Sequence, residues 1–243
     1  MNEGILKTDQ LTVRFGGLAA VDSVDFSILE KEIVSLIGPN GAGKTTLFNI
    51  ISGFMAPWEG EIRFNNQSIT GQPPEKIAHA GVARTFQVVK PFSNLTALEN
   101  VIVGALNVHA HLRKAREGAF GILEYIGMAD KAEWPARKLT LEDLKRLELG
   151  RALAIRPRLL LLDEVMAGLN PSEVEEFIAL IRRIRNDGVT VLLIEHIMHA
   201  ILSLSDEVLV LNHGETIYEG DTQGVVKDRR VVEAYLGEEY FLS

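Results

Sequence analysis

Apolar and polar positions alternate through residues 5–37, as in Leu11-Thr12-Val13-Arg14-Phe15 and Val24-Asp25-Phe26-Ser27-Ile28. A period of two predicts half-buried strands with antiparallel neighbours. The alternation ends in a continuous apolar run, Ile33-Val34-Ser35-Leu36-Ile37, which predicts a buried strand. Glu61-Ile62-Arg63-Phe64 follows Glu59-Gly60 and predicts a short strand after a turn. Between 95 and 136 the period changes. Leu98, Val101, Ile102 and Ala105, then Ala119, Ile122, Leu123 and Ile126, fall at helical spacings and predict a helical insertion. From 139 the order is helix, buried strand (159–162), helix (about 172–186) and buried strand (189–194). Two apolar strands separated by a helix predict a parallel βαβ core. Glu207-Val208-Leu209-Val210-Leu211, a turn at Asn212-His213-Gly214, and Glu215-Thr216-Ile217-Tyr218 predict a closing hairpin. No internal repeat or low-complexity linker interrupts this order.

The first apolar strand runs directly into Gly38-Pro39-Asn40-Gly41-Ala42-Gly43-Lys44-Thr45-Thr46. This fits the phosphate-binding pattern G-x-x-x-x-G-K-[ST] in its proper setting, between a strand and a helix opening at Lys44. Glycines let successive backbone N–H groups point inward at phosphate oxygens, and the helix N-terminus adds partial positive charge. Lys44 is placed to reach the β- and γ-phosphates and Thr45 to ligate Mg²⁺.

Leu159-Leu160-Leu161-Leu162-Asp163-Glu164 is an apolar run ending in two carboxylates. A buried strand set beside the phosphate loop would place Asp163 at its C-terminal end, where α/β sheets bind ligands, suited to hold Mg²⁺. Glu164 points elsewhere and is a candidate general base for an attacking water. Four further residues gain roles only in a nucleotide triphosphatase. Gln87 offers an amide to orient water or touch Mg²⁺, and otherwise reads as a solvated loop residue. His196 follows the strand at 191–194 and can donate to the γ-phosphate, and otherwise reads as structural. Phe15 can stack on adenine or fill the core. Asn170, in Ala167-Gly168-Leu169-Asn170-Pro171, sits in a turn and caps the next helix.

Composition narrows the setting. The chain has 243 residues, 47% apolar, with a formal charge of −8. That length supports one sizeable core, or one core plus a small subdomain. The acidic balance argues against broad nucleic-acid or anionic-lipid binding. With no cysteine, disulfides and thiolate metal sites are excluded. The start, Met1-Asn2-Glu3-Gly4-Ile5-Leu6-Lys7, lacks a basic n-region followed by an apolar h-region, and no run approaches 18 apolar residues. The expectation is a cytoplasmic protein that reaches a membrane only through a partner.

The ordered motifs resemble those of ATP-binding cassette ATPases over essentially the whole chain: Phe15, GPNGAGKTT at 38–46, RTFQ at 84–87, LLLLDE at 159–164, AGLNP at 167–171 and EH at 195–196. The resemblance implies an α/β fold: a P-loop NTPase core with a mainly parallel sheet, an antiparallel β subdomain and a helical subdomain. It implies one nucleotide-binding domain over 1–243, with 1–86 and 144–243 as core and β subdomain and about 88–143 as the helical subdomain. It places ATP on Phe15, Gly38, Pro39, Asn40, Gly41, Ala42, Gly43, Lys44, Thr45 and Thr46, and Mg²⁺ on Thr45, Gln87 and Asp163. Glu164, His196, Gln87 and Lys44 become the catalytic set, and Ala167, Gly168, Leu169 and Asn170 the following loop.

Finer features are similar to the importer ATPases for branched-chain amino acids: Phe15-Gly16-Gly17-Leu18-Ala19-Ala20-Val21, the form RTFQ, Glu99-Asn100-Val101 and the tail Val232-Glu233-Ala234-Tyr235-Leu236-Gly237. Such proteins imply a dimer of ATPase subunits sandwiching two ATP molecules. The dimer drives an integral membrane permease, is served indirectly by a substrate-binding protein, and is held peripherally at the inner face of the cell membrane. The helical insertion, with Gln87 at its hinge, is then the permease dock. Nucleic acid is not an expected partner. Urea importers and lipopolysaccharide-export ATPases carry similar motifs. A soluble ATPase of DNA repair or translation and a weakly hydrolysing regulatory subunit are the other readings.

One motif departs from this family. The signature LSGGQ or LSYGQ is here Leu139-Thr140-Leu141-Glu142-Asp143, while the helix after it persists as Lys145-Arg146-Leu147-Glu148-Leu149-Gly150-Arg151-Ala152-Leu153. In the family this motif faces the other subunit's γ-phosphate. A carboxylate about 4 Å from a phosphate charge, at an effective dielectric near 20, costs roughly 4 kcal/mol per unit pair. Either these carboxylates turn away or the signature serves its site poorly, and pairing with a different ATPase chain would leave one efficient site. Val165 and Asn170 replace the more usual proline and aspartate without removing a catalytic group.

Overall fold

The computed structural model describes residues 4–236; Met1, Asn2, Glu3 and, in the tail motif, Gly237 lie outside the described residues. In chain order the strands and helices are β1 (Leu6–Phe15), β2 (Leu18–Ile28), β3 (Ile33–Ile37), α1 (Lys44–Ile51), β4 (Glu59–Phe64), β5 (Gln67–Ser68), α2 (Pro74–Ala80), β6 (Val82–Arg84), α3 (Ala97–Ala105), α4 (Leu112–Tyr125), α5 (Leu141–Leu153), β7 (Leu159–Asp163), α6 (Pro171–Asn186), β8 (Thr190–Ile194), α7 (Met198–Leu204), β9 (Glu207–Asn212), β10 (Glu215–Gly220), α8 (Thr222–Val225) and α9 (Arg229–Leu236).

Two sheets follow from two sequence patterns. The alternating strands form an antiparallel sheet of order β2-β1-β4-β5. The continuous apolar runs β3, β7 and β8, buried at every position, lie inside a six-stranded sheet of order β10-β9-β3-β8-β7-β6. Its contacts are parallel except at the β9–β10 edge, as expected for strands covered on both faces. The sheet divides the core by side-chain alternation. Leu160, Leu162, Val191 and Leu193 face a cluster shared with α3, α4, α5 and α6. Leu159, Leu161, Leu192 and Ile194 face the cluster made with α1 and the antiparallel sheet.

β8 pairs with both β3 and β7, so β7 is the second strand from the one that feeds the phosphate loop. One sequence expectation needs adjustment. The closing hairpin turns on two residues rather than three. Asn212 still pairs with Glu215, and only His213 and Gly214, both at positive φ, form the loop. In the insertion, α3 starts at a capping box, Thr96 with Glu99, and buries Leu98, Val101 and Ile102; α4 buries Ala115, Ala119 and Leu123.

Strand order decides where the chemistry gathers. β3, β8, β7 and β6 are consecutive and parallel. Their C-terminal ends therefore share one edge, and the phosphate loop, Glu195-His196, Asp163-Glu164 and Thr85-Phe86-Gln87 emerge there side by side.

Candidate functional site

The phosphate loop closes tightly because glycine occupies its two crowded positions. Gly38 and Gly43 sit at φ +149° and +105°; a Cβ would lie 2.1 Å from the Leu211 carbonyl oxygen at the first and 2.2 Å from that of Ala20 at the second. Only glycine fits both the conformation and the space. Lys44 opens α1 and is buried, its Nζ donating to the carbonyls of Gly38 (2.7 Å) and Pro39 (2.9 Å). Burial lowers its pKa, with Glu164 and Asp163 opposing. Thr45, Gln87 and Asp163 line one cavity of about 430 Å³ beside the loop, together with Arg84 and Glu148.

Asp163 ends β7 almost fully buried. Arg84 from neighbouring β6 donates to its Oδ2 at 2.9 Å, and the Asp163 N–H donates to Thr85 Oγ1. The other guanidinium nitrogen reaches Asn49 Oδ1 and Ser52 Oγ, and the group lies against the rings of Phe48, Phe54 and Phe86. Burial raises the Asp163 pKa and Arg84 opposes it.

Glu164 sits at φ +50°, a conformation L side chains rarely adopt, and this aims its carboxylate between two neighbours. Gln87 Nε2 donates to Oε2 at 2.7 Å, and His196 Nε2 lies 2.9 Å from Oε1. The three catalytic candidates at the ends of β6, β7 and β8 thus meet directly. The side chain of Glu164 is 17% exposed and that of His196 42%, so the cluster opens to solvent.

Phe15 is 52% exposed at the end of β1, which excludes the core reading. It pairs with Leu18 across the β1–β2 turn, two residues before the Ala20 carbonyl that crowds Gly43. An exposed aromatic therefore stands at the β1–β2 turn, and β2 runs on from it to the Ala20 carbonyl that abuts the phosphate loop at Gly43.

The segment Leu139–Asp143 folds back on its own chain. Thr140 and Asp143 form a capping box at the start of α5: each side chain accepts from the other's backbone N–H, at 3.2 Å in both directions. Asp143 also pairs with Lys131 at 2.6 Å, and Glu142 with Arg146 at 2.8 Å. Burial alone would raise the Asp143 pKa, but Lys131 and Thr140 outweigh it and hold the carboxyl below its ordinary value. Of the two possibilities open at the sequence level, these carboxylates turn into their own chain. Leu141 remains 49% exposed and packs against Gly168 of the loop Ala167-Gly168-Leu169-Asn170, whose last residue caps α6 with Glu173.

Four polar residues at this edge escaped notice in the sequence: Arg84, Lys145, Glu148 and Glu195. Glu195 is 2% exposed and accepts from the N–H groups of Met166 (2.9 Å) and His196 (3.3 Å); burial raises its pKa. Glu148 accepts from Phe86 N–H at 2.7 Å and Lys145 Nζ donates to the Glu164 carbonyl at 3.0 Å, both from inside α5. Arg84 and Glu195 stand at strand ends, and Lys145 and Glu148 inside a helix, with no local pattern that names their partners.

The donor set suits Mg²⁺. A hydroxyl, an amide and a carboxylate around one cavity are hard oxygen ligands, and magnesium sites commonly combine one or two carboxylates with substrate phosphates. Among the described residues no cluster of three His, Cys, Asp or Glu side chains forms an all-protein cage.

Comparison with known proteins shows the family. A family model described as ABC transporter matches residues 21–167. The high-affinity branched-chain amino acid transport ATP-binding protein BraF of Pseudomonas aeruginosa is 42% identical over 257 residues, which cover 98% of this chain and 100% of that one. The corresponding LivG protein of Escherichia coli is 40% identical over 254 residues with the same coverage. Among solved structures, a nucleotide-free ATP-binding cassette from an ABC transporter superposes with a TM-score of 0.88 at 33% identity, over 96% of this chain and 99% of its own. The ADP conformation of such a cassette matches equally well, and a dimeric cassette bound to ADP and Pi gives 0.80 at 26% identity, over 89% of this chain and 98% of its own.

Proposed function

The chain belongs to the ABC transporter family of ATP-binding cassette ATPases, and from that membership we propose that it is the ATP-hydrolysing subunit of an importer for branched-chain or related hydrophobic amino acids. The cargo rests on the relatives named above; the chemistry rests on this chain's own residues. The observation that carries it is the placement of Glu164 between Gln87 and His196, at the strand end facing the phosphate loop.

In the reaction, the N–H groups of the phosphate loop and Lys44 hold the β- and γ-phosphates. Phe15 stacks on the adenine. Magnesium, when bound, neutralises charge developing on the phosphate oxygens. Thr45, Gln87 and Asp163, which line one cavity, are the groups that would hold it. Gln87 orients the attacking water, Glu164 accepts its proton as an oxygen–phosphorus bond forms, and the bond to the ADP oxygen breaks. His196 donates its ring N–H to the γ-phosphate in place of the Glu164 carboxylate, which is left to accept from the water.

Residues about 88–143 form the helical subdomain, and a groove of about 280 Å³ between it and the core supports a permease dock. Phe54, Phe86, Val103 and Ile155 supply its apolar lining and Arg151 a cation at its edge. No helix among the described residues is long and apolar enough to cross a membrane, so attachment to the inner face of the membrane would run through that permease.

The dimer is asymmetric in this reading. The Thr140–Asp143 capping box occupies backbone N–H groups at the start of α5, and no glycine opens the segment to a phosphate. A second ATPase chain with an intact signature would complete the site built on Lys44, Asp163, Glu164 and His196. The test is Mg²⁺-dependent ATP hydrolysis by the purified chain across protein concentration, then with the permease and second ATPase. Binding without turnover alone, and turnover in the complex abolished by Glu164→Gln, is the expected result. Turnover rising with the square of protein concentration for the chain alone overturns the need for a partner.

A further inference from the structure

Burying a charge is unfavourable unless it is well partnered. Besides Asp143, which pairs with Lys131, helix α5 buries two further charges, Lys145 and Glu148, 4% and 6% exposed. They are three positions apart and lie on one face of the helix. Neither makes its close contact with an opposite charge. Lys145 Nζ donates to the backbone carbonyl of Glu164 at 3.0 Å, and Glu148 Oε1 accepts from the backbone N–H of Phe86, immediately before Gln87, at 2.7 Å. Those two segments are the ones whose side chains meet, Gln87 Nε2 to Glu164 Oε2 at 2.7 Å across 77 positions of chain.

The Glu164 contact is the more telling. Its φ of +50° is an unfavourable conformation that persists only where the surroundings hold it. The residue's N–H donates to the Ile194 carbonyl of β8 at 2.9 Å, and its own carbonyl accepts from Lys145 Nζ at 3.0 Å and from the Ala167 N–H at 3.2 Å. On the other side, Thr85 is fully buried and its N–H donates to the Leu161 carbonyl of β7, whereas Phe86 is 44% exposed, its ring against Arg84 and Phe54 at the groove. The Glu148 hydrogen bond extends the tie to the interior by one residue, to the N–H next before Gln87.

We propose that Lys145 and Glu148 are positioning residues that act as one clamp, setting the separation between the Gln87 and Glu164 backbones so that the two side chains meet. Resting on the hydrolytic reading above, this makes α5 part of the machinery although neither residue touches the reacting atoms. Glu148 also lines the groove beside α2 and α3. An occupant of the groove would therefore bear directly on one jaw of the clamp.

The experiment compares Glu148→Met, Glu148→Gln, Gln87→Ala and the Glu148→Met/Gln87→Ala double variant by steady-state ATP hydrolysis in the complex that turns over, with Glu164→Gln as control. Methionine fills the space without an acceptor; glutamine retains a carbonyl oxygen for the Phe86 N–H. The expected result is a fall of roughly ten- to a hundredfold in kcat for Glu148→Met with KM for ATP nearly unchanged. Glu148→Gln keeps most of kcat, and Glu148→Met adds no further loss in the Gln87→Ala background. Wild-type turnover in Glu148→Met, equal losses in Met and Gln variants, or the same loss with and without Gln87 each overturns the clamp. An inactive Glu164→Gln beside a fully active Glu148→Met overturns the clamp alone; an active Glu164→Gln removes the hydrolytic reading beneath it.

Discussion

Glu164 and His196 meet at 2.9 Å, carboxylate oxygen to Nε2, though 32 positions separate them in the chain. The cause is register. β7 and β8 are parallel neighbours with Asp163 opposite Ile194, and the Glu164 N–H donates to the Ile194 carbonyl, so the residues just past both strand ends are delivered to one point. Glu164, at φ +50°, ends the extended run there, and its carboxylate meets Gln87 on one side and His196 on the other.

If Glu164 is the proton acceptor, Glu164→Gln lowers turnover by about 10² to 10⁴-fold while ATP still binds. Equilibrium binding of a fluorescent ATP analogue alongside single-turnover hydrolysis checks both halves. Retained turnover would reassign the base.

Gly43→Ala places a methyl group 2.2 Å from the Ala20 carbonyl at φ +105°. The loop must open to relieve this, so nucleotide affinity is expected to fall by about 5- to 150-fold, corresponding to a strain of roughly 1–3 kcal/mol. Calorimetric titration with ATP measures it, and undiminished affinity would show that the loop yields freely.

The self-capped start of α5 is a stability feature. Thr140→Ala is expected to cost about 1 kcal/mol in urea unfolding. The Asp143 carboxyl is held below its ordinary pKa in the fold, so its contribution is present above the unfolded value and is lost as pH falls through the folded one. Unfolding series on the acid side of pH 5 should show a smaller loss for Asp143→Asn than for the natural chain; parallel curves would remove this role.

Because both carboxylates pair within the chain, Glu142→Gly alone is expected not to raise the turnover of the isolated chain. A clear gain would mean that Glu142 leaves Arg146 and faces nucleotide during turnover.

Glu195→Ala leaves the N–H groups of Met166 and His196 without their buried acceptor, at a cost of about 1–3 kcal/mol each at most. Burial raises the Glu195 pKa, so its share of stability declines as pH climbs from the unfolded carboxyl value through the raised folded one. Glu195→Gln removes that decline while keeping one acceptor; thermal melts over this window give the comparison.

Much of this was legible along the chain because the signals are local. A period of two marked β1 and β2, apolar runs marked β3 and β8, and a glycine-rich loop between strand and helix marked the phosphate site. Asn170 announced a helix cap and Asp163 a strand end. Each depends on residues within a turn or a strand of one another. Arg84, Lys145, Glu148 and Glu195 were silent for the opposite reason. Their partners are 79, 19, 62 and 29 positions away, and nothing in the neighbouring residues says which backbone or carboxylate they will meet.

The sequence by itself determined the kind of chemistry: which residues cradle phosphate, which carboxylates end a buried strand, and that the segment Leu139–Asp143 departs from its family. The tertiary structure decided their relations. Placing β8 between β3 and β7 brought His196 to Glu164, and α5 supplied the polar groups behind both Gln87 and Glu164. Whether Glu142 and Asp143 face outward or inward was likewise a matter of where Arg146 and Lys131 lie. Strand order and helix docking are settled by burying the whole apolar surface at once, a non-local sum that no single stretch of residues encodes.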